Sequence, residues 1–240
     1  MSPKSTHPQS PNSPLVARRA LRDGVYDAIL EKLLDGSTPP GSSLGIDSLA
    51  RELGVSPTPV REALVQMEHT GLVNRVALKG YKVAPPLSPE QVTELFDARI
   101  MLELGAVERA LAHADDLVPE LRAAHARHVL AAHRVRKLRG GDATATDNSD
   151  LREYFAADWA FHLLIIQAAQ NRFMAAMAES LSAHVHRMRQ TVDHGTFDID
   201  QAIAEHTAIL AAFESGDPEA PARAMRTHLE GVERRSLDDA

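Results

Sequence analysis

An acid and a histidine interrupt an apolar helical stripe near residue 160. In the segment DLREYFAADWAFHLLIIQAAQN, apolar residues recur at alternating steps of four and three, as on the buried face of a helix. Asp158 and His162 occupy two positions of that face, where an unpaired charge is unfavourable. Because they lie one helical turn apart, both side chains can reach one ion. The pattern indicates a buried polar site on this helix.

Two later stretches repeat the pattern. His206 and His228 each fill a position of the apolar stripe of a helix expected at 198–214 and 217–236. Coordination of a divalent metal would neutralise the aspartate and keep the imidazoles neutral, which removes the cost of burying them. We therefore predict one divalent ion, zinc or nickel, held by Asp158, His162, His206 and His228.

The alternative to a metal site is that each of these histidines is an ordinary buried residue with a hydrogen bond. The chain has 12 histidines, and most have weaker claims to a ligand role. His125 and His128 are spaced three apart, but their helix is polar and is expected to face solvent. The remaining histidines with weaker claims are His69, His133, His184 and His186.

Helices must position these residues. Ser88-Pro89-Glu90-Gln91 is a capping box that starts a helix over 88–112. Further helices are expected at 117–139, 150–169, 171–193, 198–214 and 217–236, with a loop at 140–149. No stretch alternates convincingly as a strand. Residues 87–240 are therefore predicted to form an antiparallel all-helical bundle of about six helices.

The preceding residues have a different organisation. A helical stripe over 19–35 is followed by a short helix over 46–53, and Gly54 suits its left-handed C-terminus. Ser56 is a good N-cap for the next helix, with Pro57 and Pro59 in its first turn. Two helices around a glycine-containing turn, from about Ile46 to Val65, form a helix-turn-helix signature. The segment LVNRVALKGYKVAPP predicts a hairpin with its turn at Lys79-Gly80.

The outward residues of this motif could bind DNA. Ser56, Thr58 and Arg61 lie at the N-terminal end of the second helix, the end that meets base edges in the major groove. Arg61 can contact guanine in a bidentate manner; its alternative role is a surface ion pair, for example with Glu68. Lys79 and Lys82 flank the hairpin tip, where a wing would meet phosphate.

Composition limits the class of protein. The net charge is −7, but residues 1–86 carry 10 Lys and Arg against 8 Asp and Glu, so the acidic excess lies in residues 87–240. The chain has no cysteine, which excludes disulfides and thiolate metal sites. No apolar run approaches the roughly 20 residues of a membrane helix. Residues 1–17 are expected to be a disordered tail without signal-peptide character, and a cytoplasmic location is expected.

The run LARELGVSPTPVREALVQMEHTGLV…KGYKV closely resembles the winged helix-turn-helix of GntR-family bacterial transcription regulators, over residues 18–86. The resemblance implies that DNA is contacted through residues that match the motif, namely Ser56, Thr58, Pro59, Arg61, Lys79 and Gly80. Many members carry an arginine where this chain has Pro57 and a charged or polar stretch where it has Gly45-Ile46-Asp47. The operator sequence therefore does not follow from the resemblance.

Residues 90–236 resemble the FCD effector domain of the FadR-type branch of that family, through DWAFHLLIIQAAQN, EHTAILAAFESGD and a late His-Leu pair. The resemblance implies a divalent ion held by an aspartate and three histidines that match the four residues predicted above. It also implies that an arginine of the first bundle helix holds an effector carboxylate, and Arg99 matches. Arg99 lies on the apolar stripe of its helix, and an intrahelical pair with Glu103 is its alternative role.

The functional expectation follows from both resemblances. We expect a homodimeric, sequence-specific transcriptional regulator that binds a pseudo-palindromic operator and is modulated by a small organic acid bound near the metal. A metal-dependent hydrolytic enzyme is one alternative, since an open metal site could activate water. However, no HExxH, GxSxG or phosphate-binding motif accompanies the candidate ligands. A regulator with a purely structural metal is the other alternative.

Overall fold

A computed structural model describes residues 14–34, 38–77, 79–139, 148–191 and 198–238. The chain forms two compact units that divide between Ala84 and Pro85. Residues 1–13 of the expected N-terminal tail and residues 140–147 of the expected loop lie outside the described residues. Each unit is described by itself.

The first unit contains three helices: α1 spans Pro14–Leu34, α2 spans Ile46–Leu53 and α3 spans Pro57–His69. Helix α1 begins at Pro14, so it includes the last four residues of the expected tail, 14–17. Helices α1 and α2 both pack against α3, which buries the apolar face of α3 completely: Val60, Ala63, Leu64 and Met67 have no exposed surface. The periodicity of the sequence had placed these residues on the inner face.

The turn between α2 and α3 has the geometry that the sequence predicts. Gly54 adopts φ 67° and ψ 28°, and its backbone N–H donates to the carbonyl of Ala50. This left-handed conformation favours glycine because a Cβ would approach the following carbonyl oxygen. Ser56 occupies the N-cap position of α3 in an extended conformation, but its side chain makes no capping hydrogen bond. Its hydroxyl is therefore not needed to hold the end of the helix.

Three short strands complete the first unit: β1 at Ser43–Leu44, β2 at Val73–Val76 and β3 at Gly80–Val83. They form an antiparallel sheet in the order β1-β3-β2. Strands β2 and β3 are the predicted hairpin, and Asn74 pairs with Lys82 across it. Strand β1 was not predicted, because two residues are too few to show an alternation of apolar and polar side chains.

The second unit consists of helices and their connections, with no strand among its described residues. Its helices are α4 (Pro89–Ala110), α5 (Ala114–Arg139), α6 (Asn148–Ala168), α7 (Arg172–Thr191), α8 (Ile199–Glu214) and α9 (Ala220–Asp238), with a short 3-10 turn at Leu111–His113. The capping box forms as expected: the Gln91 N–H donates to Ser88 Oγ, and the Ser88 N–H donates to Gln91 Oε1. The prediction of a mainly α protein with a winged helix-turn-helix and a helical bundle is confirmed.

The helices of the second unit enclose both apolar clusters and a group of buried polar residues. Helix α6 packs against α4, α5 and α7, while α9 packs against α4 and α8. Fully or almost fully buried polar side chains come from α4, α5, α6, α8 and α9: Arg99, Glu103, His128, Asp158, His162, His206 and His228. Within the described residues, no helix has both the length and the apolar character needed to cross a membrane.

Candidate metal centre and DNA-binding surface

The four predicted ligands come together inside the second unit. Asp158 and His162 lie on α6, His206 on α8 and His228 on α9, and none of the four has exposed surface. The Nε2 atoms of His162 and His206 are 3.2 Å apart, and Asp158 Oδ1 is 3.6 Å from His206 Nε2. The three histidines each offer a nitrogen within 4.8 Å of the others. The fold therefore brings the three histidines together and places Asp158 beside His206, while their role as metal ligands stays a prediction.

This donor set fits a divalent ion. Nitrogen ligands lie about 2.0–2.1 Å from zinc, so neighbouring ligand atoms of one ion are about 3.0–3.4 Å apart. The separation of 3.2 Å between the Nε2 atoms of His162 and His206 falls in that range. His228 Nε2 is buried and has no hydrogen-bond partner among the described residues, although its Nδ1 contacts a carboxylate. A buried nitrogen lone pair without a partner is costly, and an ion would satisfy it.

Carboxylates contact the Nδ1 atoms of two of the three imidazole rings and so fix the orientation of these rings. Glu103 Oε2 is 2.6 Å from His162 Nδ1, and Glu205 Oε2 is 2.8 Å from His228 Nδ1. A carboxylate at Nδ1 favours the tautomer with hydrogen on that nitrogen, which leaves the Nε2 lone pair for a metal. Arg235 holds Glu205 by two hydrogen bonds of 2.8 and 2.9 Å. Gly231 leaves room for this pair, since a Cβ there would lie 3.0 Å from both side chains.

Burial keeps the imidazoles in the form that binds metal. Removal from water lowers the pKa of His206 well below its usual range, although the neighbouring Asp158 opposes the shift. Burial also lowers the pKa of His228 to about 4, against the raising effect of the hydrogen bond with Glu205. Both rings are therefore neutral near pH 7, and a neutral imidazole offers a lone pair to an ion.

Arg99 lies beside this cluster and has unused donors. Its Nε donates to Glu103 Oε1 at 2.8 Å, so the intrahelical pair that the sequence offered as an alternative does form. The guanidinium lies 5.2 Å from the ring centre of Phe96 and 5.7 Å from that of Trp159. Its Nη1 and Nη2 are buried without a hydrogen-bond partner among the described residues. The pair with Glu103 therefore satisfies only one edge of the guanidinium.

Glu103 remains ionised in this setting. Burial acts to raise the pKa of Glu103, but the positive charge of Arg99 and the contacts with His162 outweigh it and lower the pKa to about 2. The carboxylate thus joins the candidate effector-binding arginine to a candidate metal ligand.

Most predicted DNA-contacting residues of the first unit are exposed. Ser56, Thr58 and Arg61 lie at the N-terminal end of α3 with their side chains accessible. Arg61 forms no ion pair within the part of the chain that the structure describes, so the alternative role of a surface salt bridge is not realised there. Lys79 and Gly80 are exposed where β3 begins, and Gly80 adopts φ 81°.

Pro59 differs from the other predicted DNA-contacting residues of α3, because it is buried together with Val60. Proline fixes φ and lacks an N–H, so it is well suited to the first turn of a helix. A contact of Pro59 with DNA stays a prediction.

Two family models match the chain, each within one of the two units. Residues 21–83 match the model described as bacterial regulatory proteins of the gntR family, and residues 94–231 match the FCD domain. The FCD match alone covers more than half of the 240 residues. The chain belongs to the GntR family and carries an FCD domain.

Relatives of this GntR-family chain are named as transcriptional regulators. It is 30% identical over 212 residues to the HTH-type transcriptional repressor GlaR of Escherichia coli strain K12, covering 85% of this chain and 90% of that protein. It is 29% identical over 215 residues to an uncharacterized HTH-type transcriptional regulator in an unstable DNA locus of Streptomyces ambofaciens, covering 89% and 84%. This GntR-family chain is a DNA-binding transcriptional regulator with a helical effector domain. Such regulators are generally not enzymes.

Solved structures show the same fold. The Escherichia coli protein McbR/YncC superposes with a TM-score of 0.74 at 20% identity, covering 91% of this chain and 97% of that one. A GntR regulator from Rhodococcus sp. RHA1 gives a TM-score of 0.68 at 21% identity, covering 92% and 99%. At these identities the likeness concerns the fold.

Sequence reasoning missed one buried polar residue of this regulator's effector domain. His128 was expected to face solvent, yet it has no exposed surface, and its Nδ1 is 3.1 Å from His206 Nδ1. The helix α5 looked polar as a whole, which hid a narrow apolar stripe. That stripe runs at steps of four and three through buried residues, and His128 occupies one of its positions: Leu117, Leu121, Ala124, His128, Ala131 and Val135.

Proposed function

We propose that this regulator binds a pseudo-palindromic operator as a homodimer, and that a small organic acid bound beside a divalent ion modulates that binding. Asp158, His162, His206 and His228 would hold the ion, zinc or nickel, and Arg99 would hold the carboxylate of the acid. The observation that carries the proposal is a fully buried arginine, two of whose nitrogens have no hydrogen-bond partner among the described residues, beside a buried cluster of metal-competent donors.

The charges of the buried groups favour an anionic effector. Arg99 is positive and Glu103 is negative, and Asp158 must be ionised to bind metal. When the histidines are neutral, the net charge of these three groups is one negative charge. A bound divalent ion changes that net charge to one positive charge. A bound monocarboxylate would neutralise the remaining positive charge. This favours its binding, because uncompensated charge is costly in a buried site.

Arg99 has the geometry for such a partner. Its Nε is taken by Glu103, whereas Nη1 and Nη2 form the edge of the guanidinium without a partner. Two adjacent N–H groups of an arginine bind the two oxygens of a carboxylate in parallel. When bound, the ion supplies positive charge and open coordination positions for a further oxygen of the acid.

Effector control requires that the acid bind the DNA-competent and DNA-incompetent forms with different affinity. A typical coupling of this kind is about 1–3 kcal/mol. Glu103 supports the proposal that ion and acid act together, because it contacts both Arg99 and His162. Repression relieved by the acid is the direction that we propose, and it is supported by the name of one relative, GlaR, as a transcriptional repressor.

Dimerisation is proposed through an apolar face of α4 and α7. Each chain carries one helix-turn-helix, and a pseudo-palindrome has two half-sites, so a second copy is the partner that operator binding demands. Met101 is 74% exposed and Met177 is 52% exposed, an unusual exposure for large apolar side chains. They border a groove on the same face, lined also by Ala98, Leu102, Met174 and Leu181.

A titration with organic acids tests the proposal. Zinc-loaded protein is titrated with a panel of small carboxylic acids while the fluorescence of Trp159 and the affinity for operator DNA are followed. Trp159 is the single tryptophan, and its ring centre lies 6.1 Å from that of His162. We expect at least one acid to change both signals. If no acid of a broad panel alters operator binding while zinc stays bound, the ion is structural and the effector proposal is wrong.

A further inference from the structure

We propose that His128 is a positioning residue: it accepts a hydrogen bond from His206 and thereby turns His206 Nε2 toward the metal. The inference rests on the metal site proposed above and adds a residue that lies outside the four ligands. The ligand that it concerns is His206. Among the described residues, His206 is the only one of the three candidate histidine ligands that lacks a carboxylate at Nδ1.

The geometry around His206 fixes which of its nitrogens can bind metal. His206 Nε2 lies 3.2 Å from His162 Nε2 and 3.6 Å from Asp158 Oδ1, so this nitrogen faces the other candidate ligands. To offer its lone pair there, the ring must carry its hydrogen on Nδ1. That Nδ1 lies 3.1 Å from His128 Nδ1, a normal hydrogen-bond distance.

A single tautomer of His128 fits both of its neighbours. Two Nδ1 atoms at this distance cannot both carry hydrogen, so His128 Nδ1 must be the acceptor. Its own hydrogen then lies on Nε2, which is 3.7 Å from Asp158 Oδ1. That distance is too long for a hydrogen bond, but an N–H turned toward a carboxylate is still favourable. His128 thus acts on two of the four candidate ligands, His206 and Asp158.

The other two histidines show what this role requires. Glu103 accepts from His162 Nδ1 and Glu205 from His228 Nδ1. Partners of this kind fix the orientation of a ligand, and their loss typically costs about 10–100-fold in metal affinity. His206 has His128 in the same place, and its ring is also stacked on Phe161 at 4.4 Å between centres. The site thus uses one neutral acceptor and two carboxylates, which limits the negative charge that must be buried.

A second ion is the competing explanation for His128. His125, His128 and His206 also offer nitrogens within 4.8 Å of one another. Thr207 Oγ1 donates to the carbonyl of Ile203 and is 3.0 Å from His125 Nε2, so His125 carries its hydrogen on Nε2. However, an ion here would use His206 Nδ1 while the first ion uses His206 Nε2. The ring would then have to lose both hydrogens, so we assign His128 to hydrogen bonding and expect one ion per chain.

Two substitutions of His128 separate positioning from packing. His128→Leu removes the acceptor but fills the buried space, whereas His128→Asn places an amide oxygen near the position of the imidazole Nδ1. His133→Leu on the same helix is the control, because His133 is exposed. Zinc affinity and stoichiometry are measured by competition with a chromophoric chelator, and the melting temperature is measured for metal-free protein.

We expect wild-type protein and His133→Leu to bind one zinc ion per chain with equal affinity. His128→Leu is expected to bind about 10–100-fold more weakly, and His128→Asn is expected to recover most of that loss. In the metal-free state His128→Leu should melt no lower than His128→Asn, since leucine is the more apolar filling. The loss of affinity then cannot be ascribed to a weakened fold.

Other outcomes overturn the inference and show which part fails. Unchanged affinity in His128→Leu means that His206 needs no partner at Nδ1. An affinity lost equally in both variants, or two ions per wild-type chain, makes His128 a ligand instead. If wild-type protein takes up no zinc, the metal site of the proposed function fails, and the role of His128 fails with it.

In zinc-loaded wild-type protein, nitrogen-15 spectra of the imidazoles should show the His206 hydrogen on Nδ1; hydrogen on Nε2 contradicts the inference.

Discussion

At the scale of single residues, the effector domain buries an ion pair beside its candidate metal ligands. Arg99 and Glu103 form an ion pair that is almost completely withdrawn from water. Such a pair is weak evidence for stability, because desolvation offsets much of the attraction between the charges. Its position beside the three candidate histidine ligands is consistent with the proposed binding role. Among the described residues, Nη1 and Nη2 of Arg99 and Nε2 of His228 have no hydrogen-bond partner, which supports that role.

The first prediction concerns His206. His206→Ala removes a candidate ligand, so zinc affinity should fall by more than the roughly 10–100-fold that loss of an orienting partner causes. DNA binding should persist at a high protein concentration, because the substitution leaves the first unit untouched. The matched control is His133→Ala, an exposed histidine of α5. Metal content measured by mass spectrometry that is equal in both variants would mean that the ligand set has been misassigned.

The second prediction concerns Arg61. A bidentate contact of arginine with guanine contributes about 1–3 kcal/mol of discrimination, so Arg61→Ala should abolish specific operator binding under footprinting conditions. The fold should be intact, because Arg61 is exposed and forms no ion pair with another described residue. Gln66→Ala, an exposed position nearer the other end of α3, serves as the control. A protected operator footprint with the Arg61 variant would contradict the DNA-binding assignment.

At the scale of elements, periodicity predicted where helices lie better than which of their residues are buried. Helices α6 and α8 are rich in apolar residues, so Asp158 and His206 stood out against them, and His228 lies between Met225 and Val232 at helical spacing on α9. Helix α5 has a narrow stripe of mostly small residues among many charged ones, and the burial of His128 comes from its packing against α6 and α8. Strand β1 depends on pairing with β3, a contact distant in sequence that local pattern does not encode.

Local backbone geometry was predictable where glycine is required. Gly54 is left-handed and a Cβ there would meet nothing within 4 Å, so strain is the only effect of adding one. Gly54→Ala should therefore lower the free energy of unfolding by about 1–2 kcal/mol. Gly24 in α1 also has open space around it but no positive φ, so Gly24→Ala should raise stability by up to about 1 kcal/mol. Chemical denaturation that gives the same sign for both variants would refute this explanation.

At the scale of the whole molecule, the net charge differs between the DNA-binding part and the effector part of the chain. The net charge of −7 arises from residues 87–240, while residues 1–86 are slightly basic. Overall acidity is therefore compatible with DNA binding, since the negative charge belongs to the effector domain. The family and the fold explain why these two parts occur in one chain.

The dimer prediction belongs to this scale. Met101→Glu places a charge on the apolar face of α4 and α7, and a two-fold interface would bring that charge into both halves of the contact. The sedimentation mass should fall from that of a dimer to that of a monomer, with weaker operator binding. Leu130→Glu, at an exposed apolar residue of α5, is the control and should stay dimeric. A Met101 variant that remains dimeric would place the interface elsewhere.

The most direct test of the account is the metal content of the protein purified without chelator, together with its uptake of zinc and nickel. Four buried donors from three helices, two of them with carboxylates at their outer nitrogens, lead us to expect about one divalent ion per chain. That ion should be lost in the His206→Ala variant. Protein that contains no metal as purified, and that takes up neither zinc nor nickel when they are added, would contradict the central claim.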